Sequence, residues 1–400
     1  MPSTSKGKAD SLKRTFGFAR DTHEQVDPVW APTFEGYRPA WQWLADKRPE
    51  VLLHFLLEKL GAVVGTTNLH IHAAMRGRSL ADFQMKLASF HAAGRDRIGV
   101  LVNDYLVDVS TDTDGRTGTM LELIEAGPDA CERLQRIVDA EAAGSRTGER
   151  FNPDDVHWYA PVRRPSKICC VALNNSANAD RIIRGPNHPA VFIKPASALV
   201  GHGGAIECRP EYGRTHPEPE LAVVIGRTAK NVSPENAYDY IFGYTIHNDI
   251  TSPTMRSEDT FHYRAIHPKA DDPKQIDYVD TWVSYPGRYK CSDTFACMGP
   301  WLVTKDDIPD PHDLRVSCSH RGELVTEDST RNLFYKTPQV LAFISYYLTL
   351  LPGDIISLGT ALLKSSSGGA VQNVDLNRLG GPVSISIERI GTLSNSVKWV

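Results

Sequence analysis

The sequence has no hydrophobic run long enough to cross a membrane. Its most apolar stretch near the N-terminus, VLLHFLLEKLGAVVG at residues 51–65, carries three polar side chains and falls short of the ~20 apolar residues that a spanning helix needs. The first residues, MPSTSKGKADSLKR, are polar and basic and lack the apolar segment of a secretory signal. We therefore expect a cytoplasmic protein that does not associate with membranes.

Excess positive charge and paired cysteine motifs are also missing. A formal net charge of -4 argues against nucleic acid and anionic membrane surfaces as partners, which leaves small molecules. The seven cysteines show no C-x-x-C spacing, so we expect reduced, buried thiols. The sequence contains neither a P-loop nor a G-x-S-x-G motif, and GHGGA at residues 201–205 precedes no helical pattern, which favours a turn.

Three parts of the chain differ in pattern. Residues 1–83 form an N-terminal extension with a predicted helix near residues 41–60, and its His70 and His72 lack a third ligand at metal-binding spacing. Residues 84–160 predict a small α/β domain, with a hairpin that turns at Asn103 and a helix that is broken at residues 127–128. Residues 161–400 alternate short apolar runs with Gly and Pro, typical of a mainly β domain. The predicted fold class is α+β and mainly β.

Two carboxylates stand at the start of a buried strand. In HPEPELAVVIG, Glu218 and Glu220 are two residues apart, so an extended chain points both to one face. A third carboxylate, Asp249, ends the apolar run YIFGYTIHND. Three carboxylates at strand ends fit a hard divalent cation, Mg²⁺ or Mn²⁺. The alternative is that the glutamates are solvated or paired with Arg214 or Arg227.

Five segments, in this order, resemble the catalytic domain of the fumarylacetoacetate hydrolase family: HPEPELAVVIG, GYTIHNDIT, YKCSDTFACMGPWLVT, FYKTPQVLAFISYYLTLLPGDIISLGT and IGTLSN. The resemblance runs from about Arg164 to the C-terminus, and the region from residue 84 resembles the small N-terminal domain of the family. It implies a mixed β-sandwich or roll around one divalent metal, with Glu218, Glu220 and Asp249 as ligands. Family members act on 2-oxo acids and β-diketones such as acylpyruvates, by C–C hydrolysis, decarboxylation, isomerisation, hydration or dehydration.

The resemblance also implies four residues that contact the substrate or stabilise its charge. Lys290, in YKCSDTF, matches the active-site lysine of the family, and Lys194, in VFIKPAS, matches a lysine beside the substrate. In GDIISLGT, Gly359 and Thr360 would hold a substrate carboxylate through a backbone N–H and a hydroxyl. The alternatives are two solvated surface lysines and a plain strand-to-turn transition.

Two departures from the family pattern affect catalysis. In VALNNSANADR, Asn178 stands where hydrolases of the family carry a histidine, and Arg181 stands where they carry an acid. Neither side chain can act as a general base near neutral pH, and Asn178 is expected to bind substrate instead. His188, in GPNHPAVF, is a candidate replacement base, and its alternative is a turn histidine. Pro253 occupies the position of a family arginine, which leaves Arg256 as the nearest substitute for binding substrate.

Together these features predict an enzyme that cleaves a C–C bond in a 2-oxo or β-dicarbonyl acid, in the catabolism of aromatic or related compounds. Its cofactor would be Mg²⁺ or Mn²⁺, with Ca²⁺ as a further candidate, and it would be a homo-oligomer, with a dimer favoured. A second hypothesis is a dehydratase, hydratase or isomerase of a 2-oxo acid such as a 2-keto-3-deoxy sugar acid, because these reactions need no activated water nucleophile. A third is a metal-stabilised scaffold without catalysis, whose N-terminal extension serves assembly.

Overall fold

The computed structural model describes residues 84–110, 118–363 and 370–400. The predicted helix near residues 41–60 and the His70–His72 pair lie outside these ranges. The described residues belong to one compact unit, Gln84–Val400.

Strands dominate this unit, as the sequence predicts. The strands, in chain order, are β1 (Lys86–Ala92), β2 (Arg95–Val102), β3 (Tyr105–Asp108), β4 (Arg150–Phe151), β5 (His157–Trp158), β6 (Ile168–Ala172), β7 (Ala190–Lys194), β8 (Leu199–Val200), β9 (Ala205–Cys208), β10 (Pro219–Ile225), β11 (Ile241–Asp249), β12 (Thr260–Pro268), β13 (Ile276–Ser284), β14 (Ala296–Thr304), β15 (Arg315–His320), β16 (Glu323–Ser329), β17 (Ile355–Thr360), β18 (Val383–Ile387) and β19 (Gly391–Trp399). The α-helices are α1 (Met120–Glu125), α2 (Pro128–Ala142), α3 (Pro253–Glu258), α4 (Arg288–Cys291), α5 (Thr337–Tyr347) and α6 (Leu376–Leu379).

The largest sheet brings distant parts of the chain together. Its strand order is β4-β3-β2-β1-β14-β11-β10-β17-β6-β7, with β5 also paired to β1 and β8 to β14. Every residue of β10 and β11 is buried, as expected for strands in the middle of a sheet that is covered on both faces. Because β1 pairs with β14, the hairpin region from residue 84 and the C-terminal region share one sheet.

The two faces of this sheet bury separate hydrophobic cores. On one face, Leu221, Val223 and Ile225 of β10 pack with residues of α5 and of the second sheet, whose order is β16-β15-β18-β19-β9. On the other face, Ala222 and Val224 belong to a core that includes residues of α1 and α2. The mainly β, α+β architecture predicted from the sequence is confirmed.

Several local predictions hold as well. The hairpin of β2 and β3 turns at Asn103, whose φ is +54°. The predicted helix is broken at Gly127, which lies between α1 and the first residue of α2, Pro128. The seven cysteines are free, and five of them are buried. Within the described ranges, no helix has the length and hydrophobicity that crossing a membrane requires.

A two-stranded ribbon formed by β12 and β13 was not predicted. It lies in the chain between β11 and α4, and its two strands pair along their full length from Thr260↔Ser284 to Pro268↔Ile276. Apolar side chains on both of its faces are exposed, including Phe261 (57%), Tyr278 (63%) and Trp282 (70%). Such a ribbon is marginally stable by itself in water.

Candidate active site

Three carboxylates meet where β10 begins and β11 ends. Glu218 immediately precedes β10, Glu220 is the second residue of that strand, and Asp249 is the last residue of β11. The antiparallel register pairs Glu220 with His247, so the start of β10 lies beside the end of β11. One oxygen from each carboxylate lies within 4.8 Å of the others. The structure therefore brings together the three residues that the sequence singled out as metal ligands.

Backbone hydrogen bonds fix this junction. The N–H of Asp249 donates to the carbonyl oxygen of Glu218 at 2.9 Å, and the N–H of Glu218 donates to Oδ1 of Asn248 at 3.0 Å. Pro219 between the two glutamates has no N–H to donate, which suits the first residue of a strand. The carboxylates are thus held by strand pairing and not by a flexible loop.

Two buried lysines neutralise the clustered negative charge. Lys290 of α4 donates to Oδ2 of Asp249 at 2.5 Å and to Oε2 of Glu218 at 2.9 Å. Lys194, at the end of β7 and fully buried, donates to Oδ1 of Asp249 and to the carbonyl oxygen of Phe295 at 2.8 Å. The arginine partners considered from the sequence do not fill this role, since Arg227 pairs with Asp239 instead and Arg214 is exposed.

This arrangement shifts the pKa values of the site in opposite directions. Burial alone would raise the pKa of Asp249, but the ammonium groups of Lys194 and Lys290 hold it below its usual range. Burial, followed by the charges of Asp249 and Glu218, raises the pKa of Glu220 to about 8. Burial alone would lower the pKa of Lys290, but the three carboxylates raise it above its ordinary value. Without a cation, the site thus favours a protonated Glu220 near neutral pH.

Hydrogen bonds around Thr360 are consistent with that proton. The Thr360 hydroxyl lies 3.0 Å from Oε2 of Glu218 and 3.0 Å from Oε1 of Glu220. A hydroxyl has only one proton to donate, so both contacts are favourable when Glu220 is protonated, donates to Thr360, and Thr360 donates to Glu218. The N–H of Gly359 donates to the other oxygen, Oε2, at 3.2 Å.

The loop next to Thr360 is anchored by amides and a buried acid that the sequence reasoning missed. Asn175 donates to the carbonyl oxygen of Thr360 at 3.1 Å and to Oδ2 of Asp328 at 3.0 Å. The N–H of Leu362 donates to the same Asp328 oxygen at 2.8 Å. Gly359 has φ +105°, and a Cβ on it would lie 2.8 Å from Cβ of Asn174, so this position requires glycine. The family motif GDIISLGT marked this segment, but it did not reveal its partners.

Two of the remaining predicted residues, His188 and Arg256, do not belong to the cluster of carboxylates and lysines among the residues that the structure describes. His188 precedes β7, is exposed, and stacks on Phe343 of α5 with ring centroids 5.1 Å apart. It lines an apolar groove with Val191 and Ile193, which lie on the opposite face of β7 from Lys194 because side chains alternate along a strand. Arg256 is exposed on α3.

Asn178 and Arg181 lie in the 3-10 helix Ser176–Arg181 that follows β6. The side chain of Asn178 is outside what the structure describes, so its predicted contact with substrate stays a prediction. The segment SANADR contains neither histidine nor glutamate. The positions that carry the histidine and the acid in hydrolases of the resembled family therefore hold no such pair here.

Two further polar residues lie beneath the carboxylates. His247 and Ser357 are fully buried, and Ser357 donates to Oε2 of Glu220 at 2.5 Å. His247 is two residues before Asp249 in a strand, so side-chain alternation places both on the same face. That spacing is the signal that could have identified it.

The donor set suits a divalent metal ion. The cluster offers only carboxylate oxygens, which hard cations such as Mg²⁺ and Mn²⁺ prefer. Its charge also fits, because three carboxylates exceed the two neighbouring ammonium groups by one. Glu218, Glu220 and Asp249 can hold such an ion, with the partly exposed Glu218 on the side that faces solvent.

Comparison with known sequences places the chain in a family. The family described as fumarylacetoacetate (FAA) hydrolase C-terminal matches residues 167–398, more than half of the chain. The chain belongs to the fumarylacetoacetate hydrolase family. The match covers the catalytic domain that the sequence motifs indicated. A second family, described as the LigA subunit of the LigAB aromatic-ring-opening dioxygenases, matches only residues 53–88.

Relatives within the fumarylacetoacetate hydrolase family are named enzymes. The chain is 30% identical over 293 residues to the mitochondrial oxaloacetate tautomerase Fahd2a of Rattus norvegicus, covering 73% of this chain and 83% of the relative. It is 30% identical over 327 residues to the oxaloacetate tautomerase YisK of Bacillus subtilis, covering 78% of this chain and 100% of the relative. Both relatives are thus named for an activity on oxaloacetate, a small organic acid.

A solved structure of a maleylpyruvate hydrolase from Sphingobium sp. SYK-6, in complex with manganese (II) ion and pyruvate, shares the fold. The TM-score is 0.57 at 26% sequence identity, and the match covers 79% of this chain and 99% of that one. The family fold, with its mixed sheets, is therefore established for this chain.

Proposed function

We propose that this protein is a divalent-metal-dependent enzyme that interconverts the enol and oxo forms of a small 2-oxo acid. The observation that carries the proposal is the cluster of three carboxylates with two ammonium groups directly beside it. The named activity of the two tautomerase relatives supports the same reaction class. This proposal places tautomerisation, which is an isomerisation of a 2-oxo acid, ahead of the C–C hydrolysis that the sequence favoured.

The three carboxylates and the two lysines have different roles in this reaction. A cation held by Glu218, Glu220 and Asp249 would supply Lewis-acid polarisation of the substrate oxygens. Lys290, which is only 9% exposed, presents its ammonium group beside the partly exposed Glu218 and so stabilises the negative charge that develops on an enolate oxygen. Lys194 is fully buried and donates to Asp249 and to two backbone carbonyls. In this proposal it orients Asp249, and its predicted contact with substrate stays a prediction.

The missing base favours tautomerisation over hydrolysis. Hydrolysis of a C–C bond needs a group that takes a proton from water. Ser176–Arg181 carries no histidine or glutamate, and His188 stacks on Phe343. Enol–oxo interconversion loses a proton from one substrate atom and gains a proton at another, and solvent can carry that proton. It consumes no water, so it does not require a base placed to activate a water nucleophile.

Hydrolysis of an acylpyruvate is the second candidate, and the likeness to the maleylpyruvate hydrolase favours it. The short match to a subunit of ring-opening dioxygenases supports a substrate from the breakdown of aromatic compounds, for either reaction.

The cytoplasmic location and the domain boundaries at residues 83/84 and 160/161 stay predictions. Relatives include both mitochondrial and bacterial proteins.

The test compares the two reactions on one enzyme preparation. We expect Mg²⁺- or Mn²⁺-dependent loss of enol oxaloacetate well above the buffer rate, abolished by chelation, with slower or no cleavage of acylpyruvates. Glu220→Gln should lose the activity, whereas the matched change Glu235→Gln, at an exposed site in the 3-10 helix Pro234–Tyr240, should keep it. Rapid cleavage with tautomerisation at the buffer rate would select hydrolysis, and bound metal without either reaction would select a scaffold.

The predicted homo-oligomer finds support in the exposed ribbon. Phe261, Tyr278 and Trp282 alone leave on the order of 400 Å² of aromatic surface in water, about half of what one partner buries in a standard interface. Light scattering tests whether a second copy covers the ribbon. Tyr278→Ser with Trp282→Ser should lower the measured mass, while Tyr105→Ser, at a 50% exposed tyrosine of β3, should not. An unchanged mass would remove the ribbon from the interface.

A further inference from the structure

A chain of buried polar groups runs beneath the proposed metal site. Nδ1 of His247 lies 2.7 Å from Oγ of Ser357, and that hydroxyl lies 2.5 Å from Oε2 of Glu220. His247 and Ser357 are fully buried and Glu220 is 3% exposed. The three residues come from adjacent strands β11, β17 and β10, with β10 in the middle. Their contacts are therefore fixed by strand pairing.

When Glu220 binds a cation, the number of available protons fixes which group donates in each of these hydrogen bonds. An ionised carboxylate can only accept hydrogen bonds, so the single Ser357 proton points to Oε2 of Glu220. The Ser357 oxygen must then accept from His247, which places a proton on Nδ1. Nε2 of His247 has no hydrogen-bond partner among the described residues, so the ring acts on its surroundings through Nδ1.

The two oxygens of Glu220 are consequently not equivalent. Oε2 receives two donors, the Ser357 hydroxyl and the N–H of Gly359. Among the residues that the structure describes, Oε1 has the Thr360 hydroxyl as its one hydrogen-bond partner, and this hydroxyl also reaches Glu218 on the side of the other carboxylates. The free acceptor capacity of Glu220 therefore points toward Glu218 and Asp249.

We propose that His247 is a positioning residue that acts through Ser357 to hold Oε2 of Glu220, so that Glu220 binds the cation through Oε1 alone. The inference rests on the proposed metal site and adds to it a second layer of residues that sets its affinity. Outer partners of this kind commonly change metal affinity by roughly 10- to 100-fold.

Calorimetric titration of the metal-free protein with Mn²⁺ tests this role without measuring turnover. Ser357→Ala and His247→Leu should each raise the Kd about tenfold, and the double variant should be no weaker than the weaker single variant, because both changes remove the same contact. His247→Asn should stay within about twofold of wild type, since the Asn amide offers an N–H near the position of Nδ1. Thermal unfolding of each metal-free variant shows whether it is folded.

The outcomes separate this inference from the proposed function. If the wild type binds no Mn²⁺, the metal site itself fails. If the wild type binds but His247→Leu and Ser357→Ala bind equally well, or if their effects multiply in the double variant, the positioning role fails. Loss of affinity in His247→Asn equal to that in His247→Leu would also overturn it. Should His247→Leu not fold, Ser357→Ala and His247→Asn still decide.

Discussion

Magnesium binding should strengthen steeply as the pH rises toward 8, because a proton must leave Glu220 before this carboxylate can bind a cation. Burial and the charges of Asp249 and Glu218 raise the pKa of Glu220 to about 8 in the metal-free protein. The pKa of Asp249 is lowered instead, so Asp249 is ionised throughout this range. The pH dependence of binding should therefore follow Glu220.

The size of the effect follows from the ionised fraction. A group with a pKa near 8 is about half ionised at pH 8 and about 1% ionised at pH 6. The Kd for Mg²⁺ should therefore be roughly fiftyfold higher at pH 6 than at pH 8, and it should level off above pH 8. At pH 7, where about nine in ten Glu220 side chains carry a proton, each bound ion should release about 0.9 proton.

Calorimetry at pH 7 in two buffers with different heats of ionisation measures this release directly. Glu220→Gln provides the control, because it removes the titrating group and should bind weakly without releasing a proton. Equal affinities at pH 6 and pH 8 with no proton release would refute the reasoning. The carboxylate would then already be ionised in the metal-free site, and Lys290 would balance more of its charge than the buried geometry indicates.

Four further outcomes are expected. Lys290→Ala should lower kcat at least about a hundredfold while metal content measured by mass spectrometry stays near wild type; unchanged kinetics would exclude the lysine from catalysis. His188→Ala should leave tautomerisation within about twofold, and a complete loss would restore it as a base. Asn178→His with Arg181→Glu should raise acylpyruvate hydrolysis at least about tenfold, and no gain would show that these two positions do not supply a base to the substrate. Gly359→Ala should cost about 1–3 kcal/mol of stability, since its φ is +105° and its Cβ would press on Asn174; an unchanged Tm would contradict this.

The metal donors could be predicted from the sequence because their signal is local. Glu218 and Glu220 share a face through a two-residue spacing, and Asp249 ends an apolar run. The counter-charges could not be predicted in the same way, because Lys290 comes from a short helix that is 72 residues from Glu218. Arg214 and Arg227 are close to the two glutamates in sequence. Extended strands separate sequence neighbours in space, so this closeness does not identify an ion-pair partner.

Two other features show where sequence reasoning fails in physical terms. His188 is close in sequence to Lys194, but Pro189 separates it from β7, so strand alternation does not set the direction of its ring. The β12–β13 ribbon has apolar and aromatic side chains on both faces, so the period-two pattern that reveals a half-buried strand is absent. Burial by a partner, and not the sheet of the same chain, would account for such a composition.

The pairing of β11 with β14 has a consequence for how this protein can change its length. Asp249 lies opposite Ala296, so the whole segment between them leaves the sheet and returns to the adjacent strand. Closing such a segment costs only about 0.6 kcal/mol more for each doubling of its length. Insertions such as the ribbon can therefore accumulate there without moving Asp249 within its strand. An engineer who wishes to add a tag, a sensor or a second binding module has in the ribbon tip, residues 269–275, a place to insert it that leaves the metal donors in register.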